Sequence, residues 1–168
     1  MTKSSDNNRR PDEPATWRDL QRLRSEFEIV LMALVDEDRV VSEMRAALAS
    51  GSGQQMACEV LTELDPRYTE SLLNEVFHVA VDSTDARLEA ITALARLTVE
   101  TVRERIPPLV ERVLSDPQSD YWHWTSAANV LKLLDMRDLL NEVLGRAGAS
   151  QDPDIRDIVD LDWGDSRT

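Results

Sequence analysis

Apolar residues recur at steps of three and four positions along most of the chain, which is typical of helices that bury one face. The first such stretch begins after Thr16 and contains Leu20, Leu23, Phe27, Val30, Leu31 and Leu34. An acidic run at 36–38 interrupts the pattern, and a second stretch from Val40 to Leu48 ends at the Ser-Gly-Ser-Gly of 50–53. Because alternating β-branched runs are absent, the pattern predicts an all-helical chain.

A five-residue motif, two apolar residues followed by two others and a leucine, repeats along the chain. Its copies lie at 30–34, 60–64, 93–97 and 130–134, so they are 30, 33 and 37 residues apart. Each copy is followed by a polar break and a second amphipathic helix. Equivalent positions outside the motif are also apolar, namely Cys58, Ile91 and Ala128 before it and Leu73, Ile106 and Val143 after it. This period, with two helices per unit, is typical of α-solenoids.

The repeat predicts an all-α solenoid of helix pairs that stack to bury their apolar faces. The four pairs and a short closing helix are expected at about 16–50, 54–82, 84–115, 119–149 and 154–163. The polar ends, 1–15 and 164–168, are predicted to be disordered tails, which leaves 16–163 as one domain. Pro107 and Pro108 should interrupt the second helix of the third pair, because proline lacks the amide proton. A four-helix bundle is the alternative, but nine predicted segments and the repeat favour the solenoid.

The repeat resembles the HEAT repeats over about residues 25–163. The resemblance is carried by the motif, by the unit length and by loops with Asp-Pro at 65–66, 116–117 and 152–153. It implies a right-handed α-solenoid of four antiparallel pairs, with first helices on the convex side and second helices on the concave side. The segment 119–163 is also similar to small HEAT-like immunity-type proteins of bacterial polymorphic toxin systems. That similarity lies in Asp-Tyr-Trp at 120–122, Leu-Leu-Asp at 133–135 and the ending at 152–157.

The chain is strongly acidic, with a formal charge of −13 from 32 acidic and 19 basic residues. This charge argues against nucleic acid and anionic membranes as partners, because both attract basic surfaces. It suits a basic protein partner, although solubility alone is an equally good explanation. The acidity is uneven, with a net charge of −5 in 51–82, −4 in 151–168 and −1 in 83–117.

The residues that could carry chemistry are few. Cys58 is the one cysteine, and its apolar neighbours predict a buried, inert thiol. Two histidines and one cysteine are too few for a typical metal site, and the aspartates of 152–165 lack the glycine and glutamate of an EF-hand loop. We therefore expect no metal, no cofactor and no catalytic set. With no secretory signal and no transmembrane stretch, the cytoplasm is the expected compartment.

The candidate partner-binding residues are exposed positions on the second helices and one aromatic pair. They are Glu70, Asn74, Glu75, His78, Arg103, Glu111, Asn141, Tyr121 and Trp122. Asp120 or Ser119 should cap the helix that begins near Tyr121, and the spacing of Trp124 places it on the core face. The aromatic pair has two interpretations, packing between units or a contact for a partner, since Trp and Tyr are enriched in binding hot spots.

These features favour a non-catalytic protein-binding module, specifically an acidic immunity-type protein that neutralises a basic toxin. A HEAT-repeat scaffold or assembly subunit is the alternative. A HEAT-like DNA glycosylase would have to use Trp122, Trp124 and Asp120, and it needs a basic surface to hold the phosphate backbone. The chain lacks that excess of positive charge. The oligomeric state and the partner stay open.

Overall fold

A computed structural model describes residues 16–33 and 37–163 of the chain. These residues form ten α-helices and one 3₁₀ helix, with no strand among them. The helices are α1 (Trp17–Ala33), α2 (Glu37–Ala49), α3 (Gln54–Glu63), α4 (Pro66–Ser71), α5 (Leu73–Asp82), α6 (Arg87–Leu94), α7 (Val99–Ser115), α8 (Tyr121–Leu133), α9 (Arg137–Gly148), α10 (Pro153–Arg156) and the 3₁₀ helix Asp157–Asp160. The predicted all-helical class is confirmed. The tails predicted at 1–15 and 164–168 lie outside the described residues.

The chain divides into two compact units, residues 1–37 and 38–168. Helix α1 belongs to the first unit and begins with a reciprocal cap between Thr16 and Asp19. The Thr16 N–H donates to the Asp19 carboxylate at 2.8 Å, and the Asp19 N–H donates to the Thr16 hydroxyl at 3.4 Å. These two bonds satisfy backbone donors that the first turn of a helix leaves without partners.

The second unit is organised around α5, the most apolar of its helices. The buried side chains of α5 are Leu73, Val76, Phe77, Val79, Ala80 and Val81. Helix α5 packs against α6 and α8, while α3 also packs against α6, and α7 and α9 also pack against α8. The 3₁₀ helix closes the far side of α9. The core of the unit therefore runs from α3 through α6, α5 and α8 to α9.

The repeated apolar positions form much of this core. Leu61, Leu94 and Leu131 have 0% of their surface exposed, and the equivalent positions Cys58, Ile91 and Ala128 are also buried. The predicted core positions of the second helices, Leu73, Ile106 and Val143, are buried as well. The last leucine of the motif is less well covered, since the copies at 64 and 134 are only half-buried. The motif thus predicts the core most accurately at its first two positions.

The second helix of the second pair is divided by a turn at Leu72. Asp65 caps α4 by accepting a 3.0 Å hydrogen bond from the Arg67 N–H, and Pro66 occupies the first helical position. Leu72 is fully buried and leaves helical geometry at φ −114° and ψ 18°. The turn allows Leu72 and Leu73, which are adjacent in sequence, both to be buried.

The expected interruption at Pro107 and Pro108 is wrong, because α7 continues through both prolines to Ser115. The prolines deprive the carbonyl groups of Arg103 and Glu104 of their helical donors. Both of these residues are exposed, so water can reach that side of the helix. The opposite face of α7 is anchored by buried side chains on both sides of the prolines: Val102, Ile106, Leu109 and Val110.

The closing segment is shorter and more irregular than the predicted helix at 154–163. Helix α10 passes directly into the 3₁₀ helix, and Ile155 and Ile158 are buried. The Trp163 indole N–H donates to the carbonyl oxygen of Ile158 at 2.7 Å, which fixes the end of the segment. In the described parts of the chain, no helix has the length and hydrophobicity needed to cross a membrane.

Candidate partner-binding surface

Three of the predicted binding carboxylates lie in ion pairs that join different helices. The Glu75 carboxylate on α5 is 2.6 Å from the Arg45 guanidinium on α2, and the Glu70 carboxylate on α4 is 3.7 Å from that of Arg105 on α7. Glu111 on α7 pairs in the same way with an arginine of α9, Arg146. Each pair neutralises charge that a basic partner would otherwise meet.

The pKa of Glu111 reflects its pairing. The hydrogen bond from the Arg146 side chain lowers this pKa most, and a second hydrogen bond from the Ser115 hydroxyl lowers it further. The carboxylate therefore stays ionised in the folded chain at neutral pH. An exposed pair of this kind contributes little to stability, but it fixes the direction in which the Glu111 side chain points.

The other predicted polar positions are solvent-facing. Asn74 and Asn141 are exposed on α5 and α9. Arg103 is exposed on α7 and lines an open cleft of about 700 Å³, between the α6–α7 turn and the α8–α9 turn. Asp135 lies in the second of these turns and has a φ of +53°, a left-handed conformation that closes the end of α8. The proximity of these two turns could not be predicted from the periodic pattern of the chain.

The two histidines of the chain come together on one carboxylate. The Nδ1 atom of His78 lies 2.8 Å from Oδ2 of Asp82, one turn further along α5. The Nε2 atom of His123 on α8 lies 3.7 Å from Oδ1 of the same aspartate. The Nδ1 atom of His123 faces a second carboxylate, Oδ1 of Asp120, at 2.7 Å. Packing of α5 against α8 thus links His78, through Asp82, to His123 in the first turn of α8. The sequence analysis missed this connection.

Asp120 is the N-cap of α8, as the sequence predicts. Its Oδ1 atom accepts hydrogen bonds from the N–H groups of Trp122 at 3.0 Å and His123 at 3.2 Å. The hydrogen bond from the His123 side chain lowers the pKa of Asp120, and the two backbone donors add to that effect. This cap fixes where the first turn of α8 places its aromatic side chains.

Tyr121, which is half-buried, and Trp122, which is exposed, form an edge-to-face pair in that first turn. Their ring centroids are 5.3 Å apart, and their planes are inclined at 82°. Trp122 is 67% exposed, whereas Trp124, two residues further along, is buried. The predicted core role of Trp124 is therefore confirmed, and Trp122 is left facing solvent. Burial of the Trp122 side chain in an interface would therefore favour binding of a partner.

A small pocket lies beside the aromatic pair, and we call it the aromatic–acidic pocket. It has a volume of about 380 Å³ and is lined by Tyr121, Trp122, Asp154, Asp157 and Leu161. The sequence indicated the two aspartates only as members of an acidic run that lacks the features of an EF-hand loop. Their position opposite the aromatic pair depends on how α10 folds back on α8, with which it is in contact.

The two carboxylates of the aromatic–acidic pocket differ from those of the predicted binding helices. Within the described residues, neither Asp154 nor Asp157 forms a salt bridge. The nearest arginine in sequence, Arg156, instead donates to the carbonyl oxygens of Ser150 at 2.9 Å and Gln151 at 3.1 Å. The negative charge at this pocket is therefore uncompensated by a neighbouring cation.

The side chains that could serve as nucleophiles or metal ligands include Cys58 and the two histidines. Cys58 is buried, and burial, with the nearby charges of Glu89 and Glu59, raises the pKa of its thiol to about 12. Both ring nitrogens of His123 face carboxylates rather than a nucleophile. Over the part of the chain that the structure describes, no three His, Cys, Asp or Glu side chains are arranged to hold a metal ion.

Comparisons with models of protein families, with curated proteins and with solved structures return no match. The main features of the candidate surface lie close to the N-terminus of α8. They are an exposed tryptophan, the two pocket carboxylates, which have no salt bridge among the described residues, and the joined histidines.

Proposed function

We propose that the chain is a non-catalytic protein-binding module, an acidic immunity-type protein that binds and neutralises a basic toxin. The observation that carries this proposal is the exposure of Trp122 beside Asp154 and Asp157, two carboxylates without a salt bridge among the described residues, in a chain of net charge −13. A large aromatic side chain surrounded by acidic groups offers a partner both apolar area and charge complementarity.

The proposed architecture is a HEAT-like α-solenoid. Its support is a set of side-chain links between residues about one repeat apart. Ion pairs join residues 30 apart (Arg45 and Glu75) and 35 apart (Glu70 with Arg105, Glu111 with Arg146). Links at a nearly constant separation are expected when successive helix pairs stack in register. The packing of α5 against α8 departs from a strictly one-dimensional stack, in which each repeat contacts only its neighbours.

A basic partner is proposed on electrostatic grounds. Opposite net charges speed association, because they steer the two molecules together before contact. The carboxylates around the N-terminus of α8, which are Asp82, Asp120, Asp154 and Asp157, would supply the local field. Glu70 and Glu75 remain predicted contacts, but their arginine partners reduce their share of that field.

The non-catalytic part of the proposal rests on the two groups that could have been reactive. Cys58 is buried and its pKa is raised, so the reactive thiolate is disfavoured. His123 is held between two carboxylates and contributes to the start of α8 rather than facing a nucleophile. The cytoplasm is the proposed compartment, where a single cysteine would remain a thiol.

The test is co-expression with the protein encoded beside this chain. We expect that protein to stop growth of the host when expressed alone, and we expect growth to return when this chain is present. The two proteins should then co-purify as a complex of fixed stoichiometry. A complex without toxicity would favour the scaffold alternative, and the absence of both toxicity and a complex would contradict the proposal.

A further inference from the structure

The aromatic–acidic pocket is small, open to solvent and lined mainly by aromatic and acidic side chains. Its volume of about 380 Å³ lies at the low end of the range for ligand sites, so it suits a single group rather than a large ligand. We propose that this pocket binds an arginine side chain of the protein partner. The inference rests on the proposed function, since it names the group through which the partner is recognised.

The aromatic wall favours a cation. The face of a tryptophan attracts a guanidinium or ammonium group placed within about 6 Å of the ring, through the quadrupole of the π system. Trp122 is 67% exposed, and its edge-to-face contact with Tyr121 limits how its ring can turn. A face held in this way needs less ordering when a cation stacks on it.

The acidic wall supplies the opposite charge. Asp154 and Asp157 are three residues apart in successive helical turns, and both line the pocket. Neither has a salt bridge among the residues described here, because Arg156 between them donates to the carbonyl oxygens of 150 and 151. The predicted binding carboxylates Glu70, Glu75 and Glu111, by contrast, are paired with arginines of neighbouring helices. The pocket therefore contains two carboxylates that lack a counter-charge.

Arginine fits this combination better than lysine. Its guanidinium is planar, so it stacks on an aromatic ring while its edge donates to carboxylates. Lysine carries a compact and strongly hydrated charge that loses more solvation on stacking. An arginine–aromatic contact also occurs within the chain, where the Arg67 guanidinium carbon lies 5.1 Å from the centroid of the Tyr68 ring.

The test is a titration of the ¹⁵N-labelled protein with N-acetyl-arginine amide, followed by NMR. Its uncharged isostere, N-acetyl-citrulline amide, is the matched probe. We expect the arginine derivative to shift the Trp122 indole N–H signal, identified by its loss in Trp122→Phe, with a dissociation constant in about the millimolar range. The citrulline derivative should leave the signal in place. No shift with the arginine derivative, or an equal shift with both, would overturn the proposal.

Two double variants with the same change in charge distinguish binding in the pocket from a general effect of the acidic net charge. Asp154→Asn with Asp157→Asn removes both pocket carboxylates, and Asp160→Asn with Glu142→Gln removes the same charge from exposed positions outside the pocket. The first variant should weaken binding of the arginine derivative about tenfold, and the second should change it less than twofold. If both variants weaken binding equally, only the net charge matters, and the proposal that the pocket binds arginine is wrong.

The partner distinguishes this inference from the proposed function. The protein encoded beside the chain could bind the wild type and the Asp154→Asn, Asp157→Asn variant equally. In that case the inference that the pocket binds an arginine of the partner is wrong, and the proposed function stands. If that protein does not bind the wild type, the proposed function fails, and the titration with the arginine derivative still decides whether the pocket holds a guanidinium. Weaker partner binding by the pocket variant alone supports both.

Discussion

The Arg96 guanidinium donates a hydrogen bond of 2.7 Å to the carbonyl oxygen of Leu64 and a second bond of 3.0 Å to that of Leu61. These carbonyl groups lie at the C-terminal end of α3, where a helix leaves its last acceptors without partners. A positive charge at this end also interacts favourably with the helix dipole. Arg96 follows α6, so one side chain fixes α3 to the next repeated motif.

We expect Arg96→Ala to lower the free energy of unfolding by about 1–2 kcal/mol, because two carbonyl groups lose a charged donor. Arg96→Lys should lower the free energy of unfolding by a smaller amount, because lysine keeps the charge but cannot form both hydrogen bonds in the same way. Urea denaturation measures both. An alanine variant as stable as the wild type would show that these bonds do not hold α3 in place.

The repeated core leucines should be the most sensitive positions of the motif. Leu94→Ala and Leu131→Ala are each expected to lower the free energy of unfolding by about 2–5 kcal/mol, because both side chains are fully buried and their loss leaves cavities. Leu88→Ala is the control, since Leu88 lies on the same helix as Leu94 and is 66% exposed. If either core variant behaves like Leu88→Ala, the repeat alignment is wrong at that position.

The N-cap Asp120 should give a pH-dependent contribution to stability. We expect Asp120→Ala to cost about 1 kcal/mol at neutral pH, and Asp120→Asn to cost less because asparagine also caps helices. The folded-state pKa of Asp120 is lowered below its ordinary value of 3.8, so its ionised form is favoured by folding. That contribution is therefore complete above about pH 5 and is lost as the pH falls through the folded pKa.

The measurement for Asp120 is the unfolding free energy of the wild type and of Asp120→Asn between about pH 7 and pH 3. The gap between the two proteins should close toward the acidic end. A gap that stays constant over this range would contradict the assigned role of the charge.

Ser126 is expected to be a position where alanine stabilises the protein. The residue has 0% of its surface exposed, and its hydroxyl has no hydrogen-bond partner in the described structure. An unpaired buried hydroxyl costs about 1–3 kcal/mol, and alanine is also a better helix former. Ser126→Ala should therefore raise the melting temperature. Ser115→Ala is the comparison, because the Ser115 hydroxyl is exposed and donates to the Glu111 carboxylate, so its removal should not stabilise the protein. A lower melting temperature for Ser126→Ala would mean that the hydroxyl is satisfied.

The periodic part of the fold could be predicted from the sequence, because the spacing of apolar residues determines which helix face is buried. The buried positions of the motif, such as Leu61, Leu94 and Leu131, follow from that spacing alone. The cap by Asp120 was also predictable, since its side chain acts within one turn. The continuity of α7 through Pro107 and Pro108 was not, because tertiary packing outweighs two missing backbone hydrogen bonds.

The candidate surface was only partly predictable, because most of its contacts join distant segments. The exposure of Trp122 follows from helical spacing, given that Trp124 faces the core. The contact of His123 with Asp82 depends on how α5 packs on α8. The presence of Trp122 and Asp157 in one pocket depends on how α10 packs on α8. The spacing of residues in a single sequence predicts local geometry only, so the proximity of these distant residues could not be predicted from it.

The proposed protein partner binds at the N-terminus of α8, so Trp122→Ala should weaken the complex more than any other single change. The measurement is the dissociation constant, by calorimetry, for the protein encoded beside this chain. Removing a hot-spot tryptophan should weaken the complex by about 30-fold or more while the melting temperature stays unchanged. Trp17→Ala is the matched control, because Trp17 is 72% exposed on α1 and should have no effect on binding. A Trp122→Ala dissociation constant within about threefold of the wild type would contradict the claim.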